Sequence, residues 1–132
     1  MRAAVLADTG PLYAAADPDD THHKRAQREL KRLAATHREV IVSYPTLLEA
    51  YTLVLFRLGR DAAVKWLQEM GSAALVNPSA DDYRHAVDKV KLVKDQPITL
   101  FDALVASLAL RLKLEVWTYD YHFDVMRVNV WR

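Results

Sequence analysis

The chain has 132 residues and a net charge of +1, so it can build one hydrophobic core but has no overall attraction to nucleic acid. Hydrophobic residues make up 52% and charged residues 27%, which excludes a disordered chain, and no apolar run approaches the roughly 20 residues that span a bilayer. The absence of cysteine excludes disulfides, thiolate metal sites and cysteine catalysis, and it fits a cytoplasmic protein.

Apolar or β-branched runs predict strands, and longer segments bounded by capping residues predict helices. Thr21 is the expected N-cap of one helix, Pro45 lies in the first turn of the next, and Gly59 follows that helix as its C-cap. In chain order, the predicted elements are a strand at 3–7, helices at 9–16 and 21–37, a strand at 40–42, helices at 45–58 and 61–70, a strand at 73–76, helices at 80–93 and 99–112, and strands at 115–119 and 126–130.

Strands and helices alternate through most of the chain. This alternation predicts an α/β fold, with a mostly parallel sheet of four to five strands and helices on both of its faces. No repeat or linker divides residues 1–132, so we expect a single domain.

Two aspartates directly follow predicted strands. Asp8 ends the first strand, and Asp120 follows the fourth. Ligands of open parallel sheets bind beyond the carboxyl ends of the strands, so both acids are candidates for a site at that edge. Each also has an ordinary structural explanation, since Asp8 could cap the following helix and Asp120 could be a turn residue.

Two further acids lie in apolar helices. Glu49 is surrounded by the apolar residues of TLLEAYTLVLF, and Asp102 by those of TLFDALVASLALRL. A buried carboxylate needs a partner, a metal ion or a proton, because its burial is otherwise costly. As structural alternatives, Glu49 could pair with Arg57 or Arg60. Asp102 could instead form a capping arrangement with Thr99, three residues before it.

Considered together, the four acids predict a metal site. Carboxylates that crowd at one edge of a sheet repel one another and need a cation. Because oxygen ligands are present and cysteine is absent, Mg²⁺ or Mn²⁺ fits such a site better than Zn²⁺ does. The predicted ligands are Asp8, Glu49, Asp102 and Asp120.

These acids stand in four motifs that together resemble the PIN-domain ribonucleases, in particular the small VapC-type toxins of toxin–antitoxin pairs. The motifs are, in order, VLADTGPLYA (5–14), the helix around Glu49, LFDALVASLA (100–109) and WTYDYHF (117–123). Asp8 and Thr9 match the family's Asp followed by Ser or Thr. Thr118, Asp120 and Phe123 match its Thr-x-Asp-x-x-Phe pattern. The resemblance covers essentially the whole chain.

The resemblance implies a three-layer α/β/α PIN-like fold with the acids at one edge of the sheet. It also implies an endoribonuclease that depends on Mg²⁺ or Mn²⁺, forms a homodimer and is blocked by a small antitoxin protein. Gly10 stands where a second small hydroxyl residue is frequent in the family, and Tyr119 and Tyr121 flank the fourth acid. These departures concern the RNA preference more than the activity.

Hydrolysis of an RNA phosphodiester gives each acid an expected role. Asp8, Asp102 and Asp120 would hold the metal ion, and Glu49 would hold its water or a second ion. Thr9 and Thr118 would orient carboxylates by hydrogen bonds. Histidine is not required for this chemistry, and we expect His122 to be a surface residue.

RNA must also be bound near the acids. The helix after residue 21 carries basic residues that could follow a phosphate backbone, although the same surface could be an ordinary solvated helix face or could meet the antitoxin. The candidate RNA-binding residues are Lys24, Arg25, Arg28, Lys31 and Arg32.

Three other functions were considered. A phosphatase of the haloacid-dehalogenase type needs a second Asp two residues after Asp8, where this chain has Gly10. A phospho-receiver domain needs an Asp after the third strand, where Asn77 and Pro78 follow Val76. A catalytically silent PIN-like module that binds RNA or protein is the more serious alternative, against which the presence of all four acids argues.

Overall fold

The computed structural model describes residues 3–132. It contains four strands, β1 (Ala4–Ala7), β2 (Glu39–Ser43), β3 (Ala74–Val76) and β4 (Glu115–Trp117), and seven helices, α1 (Thr9–Ala16), α2 (His23–Ala35), α3 (Tyr44–Leu58), α4 (Arg60–Met70), α5 (Ala80–Leu92), α6 (Leu100–Leu112) and α7 (His122–Val125). Within these residues, no helix has the length and apolar character needed to cross a membrane.

The four strands form one parallel sheet in the order β3-β2-β1-β4. Leu6 pairs with Ile41 of β2 on one side and with Val116 of β4 on the other. The first strand therefore lies inside the sheet, and its carboxyl end is next to that of the last strand. This neighbourhood brings together the segments that follow residues 7 and 117.

Side chains of β1 alternate between two hydrophobic cores, as the period of a strand requires. Val5 and Ala7 face a core built with α1, α2, α3 and α4. Leu6 faces the opposite side, where α6 and Phe123 of α7 cover the sheet. Since both faces are covered by helices, the architecture is the predicted three-layer α/β/α fold with a parallel sheet.

Most predicted elements are confirmed within a residue or two, but the predicted fifth strand at 126–130 is wrong. Val130 makes only an isolated parallel bridge with Val116. Arg127 has a left-handed backbone (φ 59°), which interrupts any extended strand there. The preceding residues instead form the short helix α7, which the sequence interpretation did not include.

The predicted N-cap Thr21 is also wrong. The helix begins two residues later, at His23, with His22 as its N-cap and no capping bond from a side chain. Asp20 accepts a hydrogen bond from the His22 amide at 2.8 Å, which holds the chain in a turn before the helix starts. Gly59 is confirmed as the end of α3, where its φ of 93° favours glycine.

Candidate metal centre and nucleic-acid interface

The fold brings the four predicted acids to the carboxyl edge of the sheet. Asp8 follows β1, and Asp120 follows β4, which is paired with β1. Glu49 lies in α3, one helical turn after that helix begins, and Asp102 lies in the first turn of α6. Parallel strands and helix starts thus gather residues that are far apart in the sequence.

Asp8 is a buried carboxylate, with only 8% of the residue exposed. It occupies the N-cap position of α1, but its side chain makes no capping bond. Instead, its Oδ2 accepts a hydrogen bond from the Thr118 hydroxyl at 2.8 Å. The capping explanation therefore does not account for this carboxylate, which is joined to the end of β4.

Burial raises the pKa of Asp8 from 3.8 to about 6. The Thr118 hydroxyl and the Thr9 amide lower the pKa, and the charges of Glu49 and Asp120 raise it further. Among the residues that the structure describes, no lysine or arginine forms an ion pair with this carboxylate. A positive ion at this edge would remove both the repulsion and much of the cost of burial.

Glu49 is joined to α1 by a short hydrogen bond, in which the Thr9 hydroxyl donates to Glu49 Oε1. The ion pair considered from the sequence does not form. The Arg57 guanidinium lies over the Tyr13 ring at 4.9 Å, and Arg60 contacts Asp61 at 3.8 Å. Thr9 and Thr118 therefore each hold one of the four carboxylates, as the sequence suggested they would.

Asp102 combines helix capping with a place in the acid cluster. Its backbone amide donates to the Thr99 hydroxyl at 3.1 Å, so Thr99 caps α6 as expected. The carboxylate itself is 13% exposed and faces Asp120. Burial, followed by the charges of Asp8 and Asp120, raises its pKa to about 7. The Thr99 cap therefore involves the backbone amide of Asp102, and the Asp102 carboxylate takes no part in it.

His122 was expected on the surface, and this prediction is wrong. Its side chain is only 14% exposed. Its Nδ1 lies 3.4 Å from Asp120 Oδ1 and 3.8 Å from Asp102 Oδ2, yet it makes no hydrogen bond. The spacing of two residues between Asp120 and His122 could have indicated this position. In the tight turn that they form, the Asp120 carboxylate accepts a hydrogen bond from the His122 amide at 2.9 Å.

The donor set fits a divalent metal ion. One ligand atom each from Asp102, Asp120 and His122 lie within 4.8 Å of one another. Burial is the largest cause of the raised pKa of Asp8 and of Asp102, and the charges of neighbouring carboxylates raise both values further. Oxygen-rich sites of this kind suit hard divalent cations. Asp8 lies close enough to Asp102 to raise its pKa, and Glu49 lies close enough to Asp8 to raise the pKa of that carboxyl.

The predicted basic residues lie exposed on α2, and two of them contact the C-terminal part of the chain. The guanidinium of Arg25 lies 4.2 Å from the centre of the Tyr119 ring, and that of Arg32 lies 4.2 Å from the Trp131 ring. Arg25 also lines a cavity of 130 Å³ with Thr118 and Asp120. It is therefore the basic residue that these contacts place beside the acids, while Lys24, Arg28 and Lys31 continue along the helix.

Glu29 is a structural residue that the sequence interpretation missed. It accepts hydrogen bonds from the Tyr119 hydroxyl at 2.6 Å and from the Trp117 indole at 3.1 Å. It also contacts Arg25 at 3.5 Å. These contacts attach α2 to the end of β4 and hold the Arg25 side chain near the acid cluster. No local pattern reveals this role, since the partners are about 90 residues away in the sequence.

An apolar groove of 330 Å³ lies between the starts of α3 and α6. Leu48, Leu100 and Phe101 are among the large hydrophobic side chains that are exposed there. Pro45 and Tyr83 complete most of its lining. Two residues of the groove directly precede members of the acid cluster in the sequence, since Leu48 precedes Glu49 and Phe101 precedes Asp102. Exposed apolar area of this kind is typical of a protein contact surface.

Comparisons with known proteins agree with this architecture. The family model described as PIN domain matches residues 5–129. The fold is similar to that of VapC20 of Mycobacterium tuberculosis, described as a toxin that cleaves the sarcin–ricin loop, with 22% identity, a TM-score of 0.82 and coverage of 97% of this chain and 98% of that one. No curated protein sequence matches the chain.

Two other solved structures are also similar. VapBC2 of Rickettsia felis, bound to a DNA fragment from its promoter, matches with 18% identity, a TM-score of 0.75 and 96% coverage of both chains. FitAcB of Neisseria gonorrhoeae matches with 21% identity, a TM-score of 0.70 and coverage of 97% of this chain and 96% of that one. At these identities the matches establish a shared fold.

Proposed function

We propose, from the premise that this chain belongs to the PIN-domain family, that it is a divalent-metal-dependent endoribonuclease and the toxin of a type II toxin–antitoxin pair. In this proposal, residues 1–132 act as one catalytic domain in the cytoplasm. The observation that carries it is the meeting of four carboxylates and two threonine hydroxyls at the carboxyl ends of β1 and β4. The acids are Asp8, Glu49, Asp102 and Asp120, and the hydroxyls are those of Thr9 and Thr118.

Asp8, Asp102 and Asp120 would hold Mg²⁺ or Mn²⁺, with Glu49 on the side of Asp8. When bound, such an ion lowers the pKa of the attacking water and offsets charge on the phosphate in the transition state. Thr118 keeps Asp8 in one orientation, and Thr9 does the same for Glu49. These hydrogen bonds hold the carboxylates in place before the ion and the substrate bind. A site that needs less rearrangement has a higher reaction rate.

The basic face of α2 supplies the contacts that this site needs to bind RNA. Arg25, whose guanidinium is held by Tyr119 and Glu29, would bind a phosphate close to the acids. Lys24, Arg28, Lys31 and Arg32 extend positive charge along the same helix and would bind neighbouring phosphates. The exposed ring of Tyr121, next to Asp120, offers a surface on which an unpaired base could stack. Binding would therefore favour single-stranded or looped RNA.

The proposal includes two protein partners. A solved toxin–antitoxin complex from Klebsiella pneumoniae has a similar fold, so we expect this chain to have its own antitoxin, which would cover the acid cluster. We also expect a homodimer, and the apolar groove at Leu48, Leu100 and Phe101 supplies an exposed surface for it. Light scattering of the wild type and of a Leu48→Asp variant tests the dimer, since a charge in the contact should leave a monomer.

The direct test is RNA cleavage by the purified, antitoxin-free protein. Total RNA and a sarcin–ricin stem-loop oligonucleotide would be incubated with Mg²⁺, Mn²⁺ or a chelator. Asp8→Asn is the inactive variant, and Asp95→Asn is the control, because Asp95 is an exposed loop residue between α5 and α6. We expect discrete fragments from the wild type and the control only when metal is present.

The same experiment separates the proposal from a silent binding module. If RNA stays intact under every metal condition, Mn²⁺ titration of the folded wild type and the Asp8→Asn variant decides between the two functions. Binding of Mn²⁺ that depends on Asp8 would leave the nuclease proposal standing with the wrong RNA tested. Absence of metal binding, together with retention of RNA or protein binding, would replace the proposal by the silent module.

A further inference from the structure

His122 occupies a position that hydrogen bonding does not explain. Its Nδ1 is shielded from solvent and makes no hydrogen bond, although two carboxylate oxygens lie within 4 Å. A buried polar nitrogen without a partner is uncommon in folded proteins and costs stability. If the imidazole served only to stabilise the turn, a hydrogen bond to one of these carboxylates would be expected. The Nδ1 of His122 thus lies beside two carboxylates and still has no hydrogen-bond partner among the described residues.

The spacing of the three donors fits ligands of one ion. Two atoms that each lie about 2.1 Å from a metal are about 3.0 Å apart at a right angle and about 3.4 Å apart at the tetrahedral angle. The Nδ1 of His122 is 3.4 Å from Asp120 Oδ1 and 3.8 Å from Asp102 Oδ2. Only a small movement of the side chains would bring all three donors to bonding distance.

The local backbone fixes this orientation. The His122 amide donates to Asp120 Oδ1 at 2.9 Å, so the residue that provides a carboxylate also positions the imidazole two residues later. On the other side, the ring of Tyr121 packs against the imidazole with 4.5 Å between ring centres. These contacts restrict the imidazole before any ion arrives, which is the arrangement expected of a pre-formed ligand.

From these observations we infer that His122 provides a nitrogen ligand to the divalent metal, so that the centre has three aspartates and one histidine rather than carboxylates alone. This inference rests on the proposed metal-dependent function and adds a ligand to its site. Mg²⁺ strongly prefers oxygen ligands, whereas first-row transition ions bind imidazole readily. The centre should therefore select Mn²⁺ or another transition ion over Mg²⁺.

The test uses the full chain with Mn²⁺ alone, because Mn²⁺ is paramagnetic and reports on nitrogen bound to it. Electron spin-echo envelope modulation should show coupling to ¹⁴N in the wild type. The coupling should change to that of ¹⁵N when only histidine is ¹⁵N-labelled, and it should disappear in His122→Asn. His85→Asn is the matched control, since His85 is exposed on α5. Circular dichroism would establish that each variant is folded.

Metal affinity provides a second readout. In His122→Asn the dissociation constant for Mn²⁺ should rise at least about tenfold, since even loss of an outer partner of a metal ligand costs about 10- to 100-fold. The constant for Mg²⁺ should change little. An equal loss for both ions would overturn the inference, because it would show that His122 acts only by positioning Asp120.

The outcomes distinguish this inference from the proposed function. One outcome is that Mn²⁺ binding depends on Asp8 but shows no coupling to histidine nitrogen. This result would overturn the role of His122 and leave the proposed metal-dependent function standing. If the folded wild type binds no Mn²⁺ at all, the proposed function and the inference both fail. Histidine coupling that is lost in His122→Asn and kept in His85→Asn would support both.

Discussion

Asp82 and Asp8 are both buried aspartates at the N-terminal ends of helices, but their surroundings differ. Asp82 is fully buried in α5 and accepts two hydrogen bonds from the Arg111 guanidinium, at 2.8 and 2.9 Å. It also forms a capping box with Ser79. Asp8 has the Thr118 hydroxyl and no arginine or lysine partner among the described contacts.

The pKa values of the two carboxyls follow from these surroundings. The Arg111 hydrogen bonds lower the pKa of Asp82 to about 2, and burial raises that of Asp8 to about 6. A fold that keeps one carboxylate fully paired is able to pair a second one. The carboxylates at the sheet edge have no arginine or lysine partner among the described contacts, and raised pKa values in such a cluster are more typical of functional residues than of structural ones. Four predictions test this difference between a structural acid and a functional acid.

The largest effect should come from Asp8→Asn. We expect RNA cleavage to fall by about 100-fold or more, the size of loss typical when one group that stabilises the transition state is removed. In the presence of a chelator, the melting temperature of the variant should equal or exceed that of the wild type. The asparagine side chain can still accept a hydrogen bond from the Thr118 hydroxyl, and it carries no buried charge. Single-turnover cleavage and thermal melting measure the two effects. A variant that loses activity only because it unfolds would contradict this assignment.

Asp82→Ala should show the opposite behaviour. Loss of the carboxylate leaves Arg111 without its partner and removes the hydrogen bond that Asp82 accepts from the Ser79 amide in the capping box, so the free energy of unfolding should fall by about 2–3 kcal/mol. Cleavage by the remaining folded protein should be nearly normal. Asp81→Asn is the control, because Asp81 is exposed and pairs with Arg84 on the surface. Denaturant unfolding measures the free energy of unfolding of each variant. An equal loss in Asp82→Ala and Asp81→Asn would argue against a structural role for the buried pair.

Thr118→Val should have an intermediate effect on the metal. The variant keeps the size of the side chain but removes the hydroxyl that orients Asp8, so the affinity for Mn²⁺ should fall about tenfold. Thr52→Val is a suitable control, because the Thr52 hydroxyl only donates to the Leu48 carbonyl within α3. Calorimetric titration measures both. An unchanged affinity for Mn²⁺ in Thr118→Val would show that the Thr118 hydroxyl is not needed to position Asp8.

The smallest effect concerns pH in the absence of metal. The pKa values of Asp8 and Asp102 are raised to about 6 and about 7, so the folded protein holds protons that the unfolded chain releases near pH 4. Their contribution to stability is therefore present below pH 4 and is lost as the pH rises through 6 and 7. The melting temperature should therefore fall over this pH range, and Mn²⁺ should reverse the fall.

Asp82 has the opposite pH dependence. Because its pKa in the folded protein is lowered to about 2, its stabilising contribution is present above pH 4 and is lost as the pH falls toward 2. Melting curves from pH 2 to 8 in a chelator would separate the two groups. If Asp8→Asn leaves the decline between pH 5 and 8 unchanged, Asp8 is not its source.

The sequence predicted the acids because they break local patterns. Asp8 and Asp120 end apolar strands, and Glu49 and Asp102 interrupt apolar helices, so their unusual positions are visible without a structure. Fold class followed from the alternation of strands and helices. These features depend on residues that are close together in the chain, where periodicity is informative.

What the sequence did not reveal depends on distant contacts or on single backbone angles. Glu29 is held by Trp117 and Tyr119, and no neighbouring residue indicates this pairing. The apolar residues after Met126 resemble a strand, but the left-handed conformation at Arg127 prevents one. The turn at Asp120 brought His122 inward, whereas a histidine in a loop is ordinarily exposed. The errors at His122 and after Met126 lie in the last part of the chain, where the segments are short.

The pairing of β1 with β4 has a consequence for the order in which the protein is made. The bond between Asp8 and Thr118 joins residues 110 positions apart, and Thr118 directly follows the strand that lies beside the first strand of the sheet. A nascent chain that ends before residue 118 lacks both the Asp120 carboxylate and the hydroxyl that orients Asp8. The acid cluster is therefore incomplete on the ribosome until the segment after the last strand has been added.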